Sequence, residues 1–203
     1  MAMFEMLPKG APVGVIGPGG GRMLRNLAAD GYLVDAFEGR DECTEHLQEM
    51  FHGNKAVKIR SMTDLNDPLR REKLNFDALI CMDDLRAFRD NEAWTEEVQI
   101  IVRPGGYFVY SQVSNLLPRK KNNLGKYFKL VGNYNVSEET AKLILDSYVS
   151  LDDWDPGYTN KHKKAALQTL DMVEKGRSLR RSIRSGVEVR YCVWQRNKKG
   201  AEN

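Results

Sequence analysis

The stretch Val13-Gly14-Val15-Ile16-Gly17-Pro18-Gly19-Gly20-Gly21-Arg22 constrains the fold of this chain more than any other. It reads as a short buried strand that runs directly into a glycine-rich turn. An amphipathic helix follows, with Met23, Leu24, Leu27 and Ala28 on its apolar side, and it stops at Asp30-Gly31. A second apolar strand, Tyr32 to Phe37, ends at an acid, Glu38. Strand, glycine turn, helix, strand and acid is the order in which a doubly wound sheet holds a nucleotide-like ligand. The glycines let the backbone approach the ligand, the helix start points amides at it, and the acid takes two ribose hydroxyls. A dinucleotide fingerprint, G-x-G-x-x-G, would place its third glycine at position 22, which is Arg22. The chain instead carries Gly17-x-Gly19-x-Gly21.

Composition narrows the class. With 203 residues, 41% of them hydrophobic and 29% charged, the chain has room for one domain with a real core. A net charge of +3 gives no argument for nucleic acid or membrane. Met1 to Leu7 is too short and too acidic for a signal peptide, and no apolar run has the length of a membrane span. Cys43, Cys81 and Cys192 lie far apart, which fits neither a disulfide framework nor a zinc site and suits a reducing cytoplasm. His46, His52 and His162 have no ligand spacing and read as surface residues.

Along the chain, residues 1–12 form an N-terminal arm, 13–197 the domain, and 198–203 a frayed, disordered tail. After Glu38, a helix runs from Asp41 or Thr44 to Phe51, and Ala56 to Arg60 is a third strand. Ser61 to Leu65 reads as a loop. Phe76 to Met82 is an apolar run of strand length, expected of a central parallel strand buried on both faces. Trp94 to Val102 is a helix with Trp94, Val98 and Ile101 on one stripe. Arg103-Pro104-Gly105-Gly106 then reads as a sharp turn before a strand from Tyr107 to Ser111. The order βαβαβαβαβ predicts an α/β fold, a doubly wound and mostly parallel sheet with helices on both faces. Farther on, 115–126 is a polar loop, Tyr127 to Val131 a strand, and Ser137 caps a helix to about Tyr148. A loop with Trp154 and Tyr158, a helix over 161–175, a basic stretch at 177–184 and a strand from Val187 to Gln195 complete the chain.

Four of these stretches, between residues 13 and 113, resemble class I, Rossmann-like, S-adenosylmethionine-dependent methyltransferases. They are the Gly17-x-Gly19-x-Gly21 loop through Glu38, the stretch Ile59 to Leu65, the strand Phe76 to Cys81, and Val98 to Tyr110 with its Pro104-Gly105-Gly106 turn. The resemblance implies S-adenosylmethionine as cofactor, held by Gly17, Gly19, Gly21, Glu38, Ser61, Met62 and Cys81. Glu38 would accept from both ribose hydroxyls. Ser61 stands where the family often has an acid touching the adenine amine, and Met62 offers a backbone amide and an apolar side chain. One departure stands out. The acid usually found two residues before the first glycine, where it meets the ligand's amino group, is Val15 here. If a charge-assisted hydrogen bond is lost, that costs about 1–3 kcal/mol of affinity. Arg22, in the glycine loop, would instead favour an anionic ligand.

Methyl transfer from a sulfonium needs alignment, and a base only when the acceptor must lose a proton. Asp83 and Asp84, just past the fourth strand, are the catalytic candidates; the other reading is that they cap the following turn. Cys81 reads as a small core residue. Tyr110, Ser111 and Gln112 lie at the rim of the sheet, where they either meet substrate or face solvent. Trp154 and Tyr158 either form an aromatic lid or pack on the core. Arg119-Lys120-Lys121 and Arg180-Arg181-Arg184 read as solvated basic faces, so nucleic acid is not the favoured partner. The expected reaction is methyl transfer to an oxygen or nitrogen of a small or medium-sized acceptor. Two rival readings stand beside it, a catalytically inactive binding or scaffold protein on the same fold and a nicotinamide-dependent oxidoreductase.

Overall fold

The computed structural model describes residues 7–67, 71–81, 92–113, 124–142, 178, 181 and 183–198. The elements in order are β1 (Pro12–Ile16), α1 (Arg22–Ala29), β2 (Leu33–Glu38), α2 (Asp41–Met50), β3 (Val57–Ser61), α3 (Met62–Asn66), β4 (Phe76–Cys81), α4 (Glu92–Ile101), β5 (Val102–Val113), α5 (Leu124–Tyr127), β6 (Phe128–Asn135) and β7 (Val189–Arg196). The strands form one sheet in the order β3-β2-β1-β4-β5-β7-β6, and the pairs β1–β2, β2–β3, β1–β4 and β4–β5 are parallel. This is the α/β class expected from the sequence. The direction of winding reverses between β1 and β4, and in such sheets ligands bind beyond the carboxyl ends of the strands at that point.

Two compact units divide the chain. One comprises Met1–Ser111, Pro118–Asn133 and Cys192–Asn203, and the other Gln112–Leu117 and Tyr134–Tyr191. The first holds the glycine turn. Its strands alternate their side chains between two apolar clusters, as a period of two requires. Val13, Val15, Val34, Ala36, Ala78 and Ile80 pack with Leu24 and Leu27 of α1 and Leu47 of α2. Ile16, Phe37, Leu79, Cys81 and Phe108 pack with Leu65 of α3 and with Val98 and Ile101 of α4. Every residue of β4 is buried, so the run Phe76 to Cys81 is apolar on both faces because both faces are covered.

In the second unit the described residues 137–142 are helical. The hydroxyl of Ser137 does not cap them. It donates to Asn135 Oδ1 at 2.6 Å and accepts from Val189 N at 2.9 Å, while Asn135 Oδ1 also accepts from Ser137 N at 3.1 Å. Asn135 therefore serves as the cap, and Ser137 links the helix start to the last strand.

Two other expectations are corrected. Residues 62–66 form helix α3 rather than a loop, because Ser61 Oγ accepts from Thr63 N at 3.2 Å and caps it. Arg103 to Gly106 do not turn ahead of β5 but lie within it. The register skips from Phe76↔Val102 to Ala78↔Tyr107, so these four residues bulge opposite Asp77. Arg103 pairs with the Asp77 carboxylate there. A Cβ on Gly106 would fall 2.9 Å from both the Asp77 and Arg103 carbonyl oxygens, so only glycine fits. Val98 and Ile101 are buried as the α4 stripe predicts, whereas the Trp94 side chain, Asp83, Asp84, Arg119 to Lys121, Trp154, Tyr158 and the 161–175 helix lie outside the described residues.

Gly14, in the middle of β1, was silent in the sequence. A Cβ there would sit 2.8 Å from Leu79 Cδ1 and from two ring carbons of Phe76. Gly14→Ala should therefore lower stability by about 1–3 kcal/mol through overpacking. Gly20→Ala, where a Cβ would meet nothing within 4 Å, should leave the urea midpoint almost unchanged. Equal midpoints for the two variants would contradict this packing.

Candidate functional site

The site is built at the ends of β1 and β2. Ile16 lies abreast of Phe37, and the next amide, Gly17 N, donates to the Phe37 carbonyl at 3.0 Å. Gly17, Gly19 and Gly21 then take φ of 66°, 55° and 76°, in the left-handed region that favours glycine. Their roles differ. Gly21 is the N-cap of α1, its N–H donating to the Pro18 carbonyl at 3.1 Å, and a Cβ on it would lie 2.9 Å from Leu47 Cδ2 and 3.1 Å from Phe51 Cε2. That glycine lets α2 pack against the turn. Gly19 and Gly20 have open space where a Cβ would be, so the turn presents an open cradle of bare backbone. No side chain caps α1, and its first turn carries no acid that would compete with a ligand for its amides.

Glu38 ends β2 and is only 5% exposed. Its two carboxylate oxygens are unlike. Oε1 accepts from Gly39 N at 2.9 Å, Arg40 N at 3.1 Å and Arg40 Nε at 3.3 Å. Oε2 is buried and has no hydrogen-bond partner. Leaving such an atom unsatisfied costs about 1–3 kcal/mol or more for a charged group, which marks the place where a donor belongs.

Beside it, Ser61 pairs with Glu38 across β2 and β3. Its hydroxyl is engaged by Thr63 N and by Thr63 Oγ1 at 2.9 Å, so the side chain serves α3. Met62 is half-buried, and its Cγ lies 3.4 Å from where a Gly39 Cβ would be, so it walls the Glu38–Gly39 corner with apolar surface. Cys81 is buried at the end of β4, abreast of Ile16 and Tyr110. Tyr110 and Ser111 are buried too, so they do not face solvent at the rim. Val15 is 2% exposed within the cluster containing Leu24 and Leu27. The structure thus brings the glycine turn and Glu38 together at the ends of β1 and β2, with Met62 against the Glu38–Gly39 corner. Arg40, the side chain on Glu38, has no part in the sequence reading of the site. An arginine two residues after a strand-ending acid is the signal that would have found it. Among the described residues no group of three His, Cys, Asp or Glu side chains is placed to hold a metal, and no helix is long and apolar enough to cross a membrane.

Residues 15–110 match the family model of the methyltransferase domain. The fold is shared with phosphoethanolamine N-methyltransferase 2 of Haemonchus contortus, solved with S-adenosyl-L-methionine, at 14% identity and TM-score 0.68 over 97% of this chain and 50% of that one. It is shared with the cyclopropane synthase MmaA2 of Mycobacterium tuberculosis at 14% identity and TM-score 0.65, over 94% and 79% of the two chains. Coclaurine N-methyltransferase, solved with N-methylheliamine and S-adenosylhomocysteine, gives 12% identity and TM-score 0.63 over 96% and 72%. No curated protein matches the sequence. At such identities these likenesses establish the fold. The chain thus has the doubly wound α/β fold that these structures share, and residues 15–110 of it are similar to a methyltransferase domain.

Because Ser61 Oγ holds the first turn of α3, Ser61→Ala should cost about 0.5–2 kcal/mol of stability. Thermal unfolding checks this, and an unchanged midpoint would show that the cap contributes nothing.

Proposed function

We propose that this protein transfers a methyl group from S-adenosylmethionine to an oxygen or nitrogen of a small or medium-sized acceptor. The observation that carries the reading is the buried, partnerless Oε2 of Glu38 at the end of β2, next to an open glycine cradle. A ribose diol supplies the donors that this oxygen lacks. Gly17, Gly19 and Gly21 would let the backbone approach the ligand, the amides of α1 would face its carboxylate, and Met62 would line the adenine side. Two of the solved structures that share the fold hold S-adenosylmethionine or S-adenosylhomocysteine.

The bound cofactor supplies a methyl group already activated on a sulfonium. This chain then has to align the acceptor, exclude water and, for a protonated acceptor, take a proton. Asp83 and Asp84 follow β4, and we assign them the orienting and proton-accepting roles. Cys81 closes the floor between Ile16 and Tyr110 as a packing residue. Three cysteines far apart in the sequence, Cys43, Cys81 and Cys192, suit a reducing, cytoplasmic setting.

One observation favours a second reading. Val15 places an apolar side chain in the core where these enzymes usually have an acid for the ligand's amino group. A protein that binds the cofactor without turnover would retain the Glu38 contact and lack that one.

Calorimetric titration with S-adenosylmethionine and S-adenosylhomocysteine, with NAD as control, decides between these. Micromolar binding of the two adenosyl ligands, weakened about 10–100-fold in Glu38→Ala, is the expected result, the loss of one charge-assisted contact. No heat with either would contradict the cofactor assignment. In an acceptor screen, Asp83→Asn or Asp84→Asn should lower turnover by about 100-fold or more while leaving cofactor affinity intact. Binding with no turnover on any acceptor would favour the second reading.

A further inference from the structure

We infer that Arg40 is a positioning residue for ligand recognition, fixing the Glu38 carboxylate so that Oε2 meets the ribose diol. The inference rests on the cofactor reading above and adds a residue to it. Three donors meet on Oε1, and two of them, Gly39 N and Arg40 N, are backbone groups whose positions are set by the chain leaving β2. The third, Arg40 Nε, is a side-chain donor that also carries charge. Two backbone donors on one oxygen do not by themselves fix the plane of the carboxylate. A third donor on a long side chain removes that freedom. It also holds a positive charge beside a carboxylate that is otherwise enclosed by protein.

The Arg40 side chain is itself 46% exposed. A solvent-screened pair of this kind contributes little to folding, and Arg40 lies in the extended segment before α2 rather than in a packed core. Its effect through Glu38 should therefore appear in the ligand more than in stability. The side chain lies on the oxygen opposite to the one left open, so it works through Glu38 and leaves Oε2 to the ligand.

The test uses S-adenosylhomocysteine, which lacks the sulfonium charge, so that removing a cation does not by itself alter affinity through long-range repulsion. Its 2′,3′-dideoxy analogue serves as the second probe. Arg40→Gln in the full chain should weaken binding of the parent ligand about five- to tenfold, a fraction of a charge-assisted contact. Binding of the dideoxy analogue should change by less than about twofold, and the thermal midpoint by less than about 3 °C. In a Glu38→Gln background, Arg40→Gln should have no further effect on the parent ligand. Equal losses for both ligands would overturn the inference, because Arg40 would then act on the ligand directly or through its charge. An unchanged affinity for the parent ligand would also overturn it. If the unmodified protein binds neither S-adenosylmethionine nor S-adenosylhomocysteine, the cofactor reading fails and takes this inference with it. That outcome is distinct from binding that is indifferent to Arg40.

Discussion

A single backbone hydrogen bond, from Gly17 N to the Phe37 carbonyl, ties the end of β1 to the end of β2, and the site depends on it. Past that bond the chain must leave the sheet, turn and start a helix within four residues. Three positive φ angles do this, at positions where a side chain would be strained. The turn sets where α1 begins, and through Gly21 it sets how closely α2 can pack, since Leu47 and Phe51 occupy the space a Cβ would need. The same bond keeps the residue after Phe37, Glu38, beside the cradle. Cradle and carboxylate are therefore positioned by one constraint rather than by two independent loops.

The rest of the sheet makes that carboxylate effective. Apolar clusters cover both faces of β1 and β4, so the floor under the strand ends is dry and stiff. A carboxylate at 5% exposure would be costly in such a setting without compensation. Three donors on Oε1 offset much of this cost and leave Oε2 as the uncompensated remainder. A ligand that donates to Oε2 recovers what folding left unsatisfied, which is how a buried acceptor favours binding over solvent. Val15 lies in the same dry region and is satisfied by packing alone. The core therefore accommodates an apolar residue at position 15, and under the proposed cofactor reading the consequence would fall on the ligand's amino group.

Much of this was legible in the sequence because it depends on local patterns. Val13 to Ile16, Tyr32 to Phe37 and Phe76 to Cys81 are apolar runs between turn signals, and each falls on a strand, the second of which starts at Leu33. Glycine at 17, 19 and 21 and the acid at 38 could be read because turn geometry and strand ends are properties of neighbouring residues. What depends on distant neighbours was not legible. Gly14 is required by Leu79 and Phe76 on another strand, and Gly106 by the carbonyl of Asp77. Pro104-Gly105-Gly106 reads as a turn, yet the Asp77–Arg103 pair across β4 and β5 holds it in the strand as a bulge. The capping use of Ser61 was not legible, because its hydroxyl meets Thr63 only once α3 forms. Arg40 on Glu38 has a short sequence signal, but its direction is fixed by the path of the chain out of β2.

If Glu38 Oε2 is the open acceptor for a ribose diol, a crystal structure of the complex with S-adenosylhomocysteine will show it. Both ribose hydroxyls are expected on Glu38, with at least one within about 3 Å of Oε2, and the Arg40 guanidinium still on Oε1. A ligand bound elsewhere, or one bound over the glycine turn with its hydroxyls turned away from Glu38, would contradict it.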